Sequence, residues 1–506
     1  MTLMEMRGIT KTFPGVIAND SVSFDLQPGE IHALVGENGA GKTTLMKILY
    51  GLYRTDAGSI LINGKPVNIS GPKDAIAKGI GMVHQHFMLV PVFSVLENII
   101  LGEENGVVLD LETPRKRITE LMRKNGLELD LNAVVENLSV GMQQRVEIIK
   151  VLYRGASILV FDEPTAVLTP QEVKELFHTF EELKQQGAGV VFITHKLDEV
   201  LSVADRITVL RRGKVVRSMA REGVTKPQIA ELMVGKPVLL KADNPLPQSS
   251  DTILEVSGLS YTNHAGTQML KNISFCVQSG EIFGIAGVEG NGQSELVRAI
   301  SEKTRLDSGR ILLAGNDIGG LDVRSRREAG MAHIPEDRQR YGLIMPFSLA
   351  DNLVLGRHHR APFVTRGGMI RRAAIREFAV QSIRDYDVRT PSESVPALAL
   401  SGGNQQKAII AREMAWQPAL LLACQPTRGV DIGATEFIYR RLVEAKMSGK
   451  AVLLVSADLD EIMALSDRIG VLYRGELIAV LDTRATTREA VGNYMLGASD
   501  HEAAKN

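Results

Sequence analysis

The chain has 506 residues, of which 44% are hydrophobic and 23% charged, and this length is too great for a single hydrophobic core. Its formal net charge of -1 disfavours a general nucleic-acid binder, which would usually be basic. The two cysteines, Cys276 and Cys424, are too few for a cysteine-rich zinc site and predict a reducing compartment. No run of about 18 apolar residues occurs, so we expect no membrane-spanning helix.

Internal repeats run through the whole chain. A segment that begins at Gly8 and ends in a glycine-rich turn returns from Gly258. LSVGMQQR from Leu138 returns as LSGGNQQK from Leu400. THKLDEV from Thr194 returns as SADLDEI from Ser456. Patterns that recur in the same order predict two copies of one structural unit.

The repeat sets the predicted domain boundaries. We predict a first domain at residues 1–240, a linker rich in proline and serine at 241–251, and a second domain at 252–506. Within each copy, short apolar runs alternate with helical patterns. This alternation predicts an α/β fold with a mainly parallel sheet.

A phosphate-binding loop is predicted early in the first copy. The apolar run Ile31–Val35 is typical of a buried strand, and a helical pattern follows from Thr44. Between them lies a match to GxxxxGK[ST], whose strand–loop–helix context supports the assignment. The residues that we expect to surround the phosphates are Gly36, Glu37, Asn38, Gly39, Ala40, Gly41, Lys42, Thr43 and Thr44.

The residue types in this loop suit a triphosphate. Glycines let backbone N–H groups approach the phosphates, and the helix N-terminus adds its positive dipole end. Lys42 has the reach for the β- and γ-phosphates, while the Thr43 hydroxyl suits Mg²⁺. The sequence therefore predicts ATP and Mg²⁺ as cofactors.

A second apolar run, Ile158–Phe161, ends in the acids Asp162 and Glu163. Carboxylates at the carboxyl end of a strand face the ligand crevice in such sheets. We expect Asp162 to hold Mg²⁺, directly or through water, and Glu163 to polarise the attacking water.

LSVGMQQR and LSGGNQQK resemble the signature motif of ABC ATPases, and the resemblance covers essentially the whole chain. It implies two tandem P-loop ABC ATPase domains, each with a mainly parallel core sheet, an antiparallel β subdomain and a helical subdomain. It also implies further site residues by position. These are Phe13 for adenine stacking, Gln85 for linking and metal contact, the stretch Ala166–Thr169, and His195 for the γ-phosphate.

In that family two ATPase domains face each other head to tail, so each ATP lies between one P-loop and the opposite signature. The resemblance therefore adds Ser401, Gly402, Gly403 and the interface aspartate Asp431 to the first site.

The two predicted sites are unequal. The second copy differs at five of these positions. Gln293 stands in place of Lys42, Cys424 in place of Asp162, and Gln425 in place of Glu163. Glu336 takes the position of Gln85, and Ala457 that of His195. We expect this copy to hold nucleotide loosely, on Gly287, Gly290 and Gly292, without hydrolysing it.

The first copy has the weaker signature, SVGM from Ser139, and Thr169 where the second copy has Asp431. Head-to-tail pairing then collects every loss in one site, which favours pairing of the two copies within one chain as a pseudo-dimer. Pairing between two separate chains is the alternative.

The resemblance is strongest to importer subunits for simple sugars and nucleosides. It implies two membrane permease subunits and an extracytoplasmic substrate-binding protein as partners, and a peripheral location on the cytoplasmic face of the cell membrane. The segment MVHQHFMLVPVFSVLENIILG resembles nucleoside importers more than sugar importers, so a nucleoside cargo is favoured, with purine nucleosides preferred. Sugars of the ribose, galactose or xylose type are the alternative.

Two other functions compete with import. A tandem ABC ATPase that acts on ribosomes would usually carry a long charged linker and two intact sites. A DNA-repair ABC ATPase would require zinc-binding cysteines and large insertions.

The segment Arg357–Arg376 is rich in arginine. We expect it to form a solvated face, with contact to lipid headgroups or to a membrane partner as the alternative.

Overall fold

The computed structural model describes residues 2–84, 88–103, 110–165, 168, 170–194, 196–235, 244, 251–263, 265–288, 290–495 and 497. The chain divides into two compact units, Met1–Val238 and Leu239–Asn506. Gln85, His195 and Thr169 lie outside the described residues, as does nearly all of the predicted linker. The roles predicted for these residues therefore stay predictions.

The first unit contains ten strands and eight helices within its described residues. The strands are β1 (Met4–Phe13), β2 (Val16–Leu26), β3 (Ile31–Val35), β4 (Ala57–Ile62), β5 (Lys65–Val67), β6 (Ile80–Val83), β7 (Ile158–Asp162), β8 (Gly189–Thr194), β9 (Arg206–Arg211) and β10 (Lys214–Ala220). The helices are α1 (Lys42–Leu49), α2 (Pro72–Ala77), α3 (Val95–Ile100), α4 (Glu112–Lys124), α5 (Val140–Tyr153), α6 (Pro170–Gln185), α7 (Leu197–Val203) and α8 (Lys226–Val234).

Two sheets organise this unit. The larger has the order β10-β9-β3-β8-β7-β6, and every neighbouring pair from β9 to β6 is parallel. The smaller sheet, β2-β1-β4-β5, is antiparallel. The order of the large sheet brings the carboxyl ends of β3, β7 and β8 side by side, and the predicted ATP site lies at this edge.

Both faces of the parallel sheet are covered, which explains why its strands are mostly apolar rather than alternating between apolar and polar residues. In β8, Val191 and Ile193 pack into one hydrophobic cluster, whereas Val190 and Phe192 pack into another on the opposite face. The second cluster includes side chains from α3, α4 and α5, so the helical region is anchored directly to the sheet.

The second unit repeats this plan. Its strands are β11 (Thr252–Thr262), β12 (Gln268–Gln278), β13 (Ile282–Ala286), β14 (Ser308–Leu313), β15 (Asn316–Asp317), β16 (Met331–Ile334), β17 (Leu420–Cys424), β18 (Ala451–Ser456), β19 (Arg468–Tyr473) and β20 (Glu476–Asp482). Its helices are α9 (Gln293–Ser301), α10 (Val323–Glu328), α11 (Leu349–Leu353), α12 (Arg372–Asp385), α13 (Gly402–Met414), α14 (Ile432–Met447), α15 (Leu459–Leu465) and α16 (Arg488–Met495).

The sheets of the second unit run β16-β17-β18-β13-β19-β20 and β12-β11-β14-β15. The first is parallel except for β20, and the second is antiparallel. The predicted fold class, α/β with a mainly parallel core sheet, an antiparallel sheet and helices in each copy, is confirmed. Among the described residues, no helix is both long and apolar enough to cross a bilayer.

Candidate functional site

The glycine-rich loop of the first unit connects β3 to α1. Gly41 has φ of 101° and precedes the helix as its N-cap. A Cβ at this position would collide with the carbonyl oxygen of Ala18. The neighbouring Asn19 is fully buried, and its amide Nδ2 donates to the Gly41 carbonyl at 3.1 Å. Only glycine fits here, because the loop is pressed against β2 in a left-handed conformation.

Lys42 lies over this loop. Its side chain is 5% exposed, and Nζ donates to the carbonyl oxygens of Gly36 at 2.7 Å and Glu37 at 3.0 Å. These bonds hold a buried ammonium against the concave side of the loop. A cation in this place has short reach to phosphate oxygens that bind the loop N–H groups.

Thr43 and Asp162 meet at the end of β7. The Thr43 hydroxyl donates to Asp162 Oδ1 at 3.2 Å, so two predicted metal ligands are neighbours. Burial raises the pKa of Asp162, and the adjacent Glu163 adds to this, while the Thr43 hydrogen bond and the charges of Lys42 and Lys47 act against it. A hydroxyl and a buried carboxylate are hard oxygen ligands, and a cation between them would offset the cost of burial. The pair therefore fits Mg²⁺.

Glu163 follows the strand in a strained conformation. Its φ is 49°, which is unusual for a residue with a side chain. Its backbone N–H donates to the Ile193 carbonyl at 2.9 Å, so the turn is fixed to the end of β8. Such strain persists only where surrounding contacts enforce it and is frequent at functional sites. The same turn recurs in the second unit, where Gln425 has φ of 46° and donates to Val455 at 2.8 Å.

Phe13 ends β1 with its ring 38% exposed. The ring of Tyr53 meets it edge-on at a centroid distance of 5.5 Å, and Lys11 Nζ lies 5.6 Å from its centre. An exposed ring held from the side keeps area for stacking against a planar base.

A carboxylate beneath the catalytic turn joins two segments. Glu199 on α7 accepts hydrogen bonds through Oε2 from the hydroxyls of Thr165, at 2.7 Å, and Thr194, at 3.2 Å. Its Oε1 pairs with Lys196 Nζ at 3.2 Å, and that Nζ also donates to the Thr165 carbonyl at 3.1 Å. Thr165 comes two residues after Glu163, and Thr194 comes directly before His195.

The corresponding loop of the second unit presents different chemistry. Ser294 takes the place of Thr43, and its hydroxyl lies 3.5 Å from Glu336 Oε2. Glu336 Oε1 pairs with Arg428 Nη1 at 2.8 Å, so a guanidinium neutralises this carboxylate. Gln293 occupies the lysine position, and its Oε1 is buried without a hydrogen-bond partner among the described residues. Burial raises the pKa of Cys424, which leaves a neutral thiol at the position of Asp162.

The signature of the second unit begins α13. Ser401 is the N-cap, and its hydroxyl accepts from Asn404 Nδ2 at 2.9 Å. Arg338 lies against this helix start, where a Cβ on Gly402 would approach its Nη2 to 2.6 Å. The guanidinium is held by the carbonyls of Arg428, at 2.6 Å, and Gly429, at 3.1 Å. A helix N-terminus with a neighbouring guanidinium favours an anion.

The signature of the first unit has the opposite charge beside it. Ser139 caps α5 by accepting from the Met142 N–H at 3.3 Å. The carboxylate of Glu172 lies directly against Gly141, where any Cβ would collide with its Oε1. A negative charge already satisfies this helix N-terminus and opposes a phosphate there.

Asp431 is the N-cap of α14. Its Oδ1 accepts from the Ala434 N–H at 2.8 Å. A Cβ on Gly403 would lie 3.5 Å from its Oδ2, so the aspartate and the signature glycines are neighbours. One wall of the second unit therefore combines Ser401, Gly402, Gly403, Asp431 and Arg338.

The structure brings Lys42, Thr43, Asp162 and Glu163 together at one sheet edge in the first unit, and it gathers Ser401–Gly403 and Asp431 in the second. Sequence reasoning assigned no role to Arg338, Arg428, Glu172 or Glu199. The repeated THKLDEV and SADLDEI motifs contain Glu199 and its counterpart Glu461, so a signal for one of these residues was present.

Comparisons with known proteins show the family to which both halves of the chain are similar. A family model described as ABC transporter matches residues 19–166 and 270–428. The nucleoside import ATP-binding protein NupA of Lactococcus lactis subsp. cremoris is 47% identical over 503 residues, covering 99% of each chain. The guanosine import ATP-binding protein NupO of Bacillus subtilis is 45% identical over 505 residues, again covering 99% of each chain. A ribose import ATP-binding protein of Rubrobacter xylanophilus is 41% identical over 496 residues, covering 97% of each chain.

Proposed function

The chain belongs to the ABC transporter family as an ATP-hydrolysing subunit, and on that premise we propose that it powers import of a nucleoside from one catalytic site. Two relatives named for nucleoside or guanosine import are 47% and 45% identical over nearly the whole chain. A purine nucleoside is the favoured cargo. Import of a simple sugar is the second candidate, since a relative named for ribose import is 41% identical.

The proposed catalytic site joins the nucleotide-binding face of the first unit to the signature of the second. From the first unit come Phe13, the loop Gly36–Thr44, Gln85, Asp162, Glu163 and His195. From the second unit come Ser401, Gly402, Gly403 and Asp431.

Charge at the two signature helices supports this pairing. Arg338 lies beside Gly402, whereas Glu172 lies beside Gly141. Asp431 also lies near Gly403, but Arg338 supplies a positive charge at the signature of the second unit, whereas a carboxylate lies against that of the first, so a γ-phosphate is better accommodated at the second signature. The favourable signature belongs to the unit without the catalytic lysine and acids, and this sorting is the observation that carries the proposal.

The proposed reaction is hydrolysis of the γ-phosphate by water. Lys42 and the loop N–H groups bind the phosphates, while Thr43, Asp162 and Gln85 would hold Mg²⁺. When bound there, Mg²⁺ would supply charge neutralisation for the leaving group. Glu163 orients and polarises the water, and His195 contacts the γ-phosphate. Binding of ATP closes the site and hydrolysis reopens it, which gives two states for coupling to transport.

The proposed partners follow from this role. They are two membrane permease subunits and an extracytoplasmic substrate-binding protein, with the chain peripheral on the cytoplasmic face of the membrane. Co-purification from gently solubilised membranes tests the partners. Thermal shift of the captured binding protein then tests the cargo: stabilisation by nucleosides supports the proposal, and stabilisation by pentoses alone replaces the cargo with a sugar. Recovery of ribosomes without permeases contradicts import.

The single-site hydrolysis is tested with matched variants of the full chain. Lys42→Ala and Glu163→Gln should abolish ATP turnover, measured as phosphate release. Gln293→Ala, the equivalent change in the second unit, should retain most of the turnover. Equal loss in all three variants would overturn the one-site model.

A further inference from the structure

We propose that Glu199 is a positioning residue that sets the relative placement of the Glu163 and His195 segments during ATP hydrolysis. This inference rests on the proposed function. Glu199 does not lie on the phosphate loop, and it acts through the two segments on which those groups are carried. Its side chain is 11% exposed, so its contacts are made within the fold rather than in solvent.

The contacts of Glu199 define a bridge. One oxygen, Oε2, accepts from Thr165 at 2.7 Å and from Thr194 at 3.2 Å. Both threonines are 2% exposed, so their hydroxyls have little water to replace a lost partner. Because Thr165 and Thr194 belong to different segments, a single carboxylate oxygen fixes the distance between the turn after β7 and the end of β8.

Lys196 completes the bridge. Its Nζ lies 3.2 Å from Glu199 Oε1 and donates to the Thr165 carbonyl at 3.1 Å, while its backbone N–H donates to the Thr194 hydroxyl at 3.0 Å. The charge that the carboxylate brings beneath the site is therefore paired. The backbone of His195 lies between Thr194 and Lys196 in the chain, so both neighbours of this histidine are held by the same network.

The second unit contains the same carboxylate without the full network. Glu461 accepts from Thr427 at 2.7 Å, but Asp458 stands where the first unit has Lys196. The Ser456 hydroxyl, at the position of Thr194, is also hydrogen-bonded to Glu461, so the missing part is the cation. The complete bridge thus occurs in the unit that retains the catalytic groups, and the incomplete one in the unit that has lost them.

This pair provides a matched test. Glu199→Gln keeps the shape of the side chain but removes the charge that pairs with Lys196 and one strong acceptor. A misplacement of about 1 Å can cost about a hundredfold in rate, so we expect kcat for ATP to fall between about tenfold and a hundredfold. The KM for ATP should change by less than about threefold, because the bonds of Glu199 go to Thr165, Thr194 and Lys196 rather than to Lys42 or its loop. Glu461→Gln should leave kcat within about twofold.

The measurements are steady-state phosphate release by the full chain and thermal unfolding of each variant. A variant with shortened reach, Glu199→Asp, should recover part of the lost kcat because it restores the charge. Equal kcat for Glu199→Gln and Glu461→Gln would overturn the proposal. So would a loss of kcat accompanied by an equal loss of ATP affinity and a lowered unfolding temperature, since that pattern indicates a general structural role.

The same variants distinguish failure of the positioning role from failure of the proposed function. If Lys42→Ala and Glu163→Gln abolish turnover while Glu199→Gln leaves kcat unchanged, hydrolysis at the first unit stands and the positioning role is wrong. If Lys42→Ala retains turnover, the site assignment itself is wrong.

Discussion

Replacement of Glu461 by glutamine should make the second unit more stable at neutral and alkaline pH. Burial raises the pKa of this carboxyl from 4.5 to about 7. The side chain is 1% exposed, and its burial outweighs the hydrogen bonds from Ser456 and Thr427, which act to lower the pKa. The folded state therefore holds the proton more tightly than the unfolded chain does.

The sign and size follow from proton linkage. Between pH 4.5 and about 7 the unfolded carboxyl has ionised while the folded one has not, so stability falls as pH rises. Each tenfold difference in proton affinity is worth about 1.4 kcal/mol, which gives a loss of about 3 kcal/mol that is complete above about pH 7. Glu461→Gln removes the ionisation and should recover this free energy at pH 8 but gain little at pH 4.5.

Calorimetric unfolding at pH 5 and pH 8 measures the effect as the difference in the unfolding temperature of the second unit. The control is Glu199→Gln in the first unit, where Lys196 already pairs with the carboxylate at 3.2 Å, so no gain at pH 8 is expected. The reasoning would be refuted by an unfolding temperature for Glu461→Gln that is unchanged or lower at pH 8, or by a gain of the same size at both pH values.

Three further predictions concern single side chains. Arg338→Gln should raise the KM for ATP about tenfold, because it removes a charge-assisted hydrogen bond to phosphate, which is worth about 1.5–3 kcal/mol. The control Arg340→Gln should leave the KM unchanged. Equal KM values for the two variants in phosphate-release assays would contradict the role of Arg338. Gly41→Ala should destabilise the first unit by about 2 kcal/mol or more in denaturant unfolding, since φ is 101° and the added Cβ would collide with the Ala18 carbonyl. Gly15→Ala should cost less, because a Cβ added there has no other atom within 4 Å. Lys446→Met should cost the second unit about 3–5 kcal/mol because it leaves the buried Asp467, 2.6 Å away, without its cation. Arg440→Met, at an exposed pair, should cost less than about 1 kcal/mol, and similar losses at both sites would refute the burial argument.

Much of the fold was accessible from the sequence because its strands are buried on both faces. Ile31–Val35 and Ile158–Asp162 are mostly apolar and fully buried, and a glycine-rich turn follows the first while acids end the second. Such runs indicate parallel strands whose carboxyl ends meet at one edge. The grouping of Lys42 with Asp162 followed from the GxxxxGK[ST] motif together with this rule.

Side-chain networks that join distant segments were not accessible in the same way. Arg338 reaches the signature helix from a turn far upstream in the chain, and no local pattern marks that contact. Glu172 beside Gly141 and the Arg428–Glu336 pair also depend on tertiary approach. Glu199 lay within a repeated motif, but its bonds to Thr165 and Thr194 require the parallel pairing of β7 with β8.

The predicted roles of Gln85 and His195 stay predictions, because both residues lie outside the part of the chain that the structure describes. The same holds for the pairing of the two units.

The proposed use of the second unit's signature by the hydrolytic site is tested by replacing each signature serine with arginine. Ser139 and Ser401 are both helix N-caps, so arginine at either position changes the local helix start in a comparable way. ATP turnover of the full chain should be abolished by Ser401→Arg and largely retained by Ser139→Arg. Retained turnover in Ser401→Arg with loss in Ser139→Arg, or equal loss in both, would contradict the account.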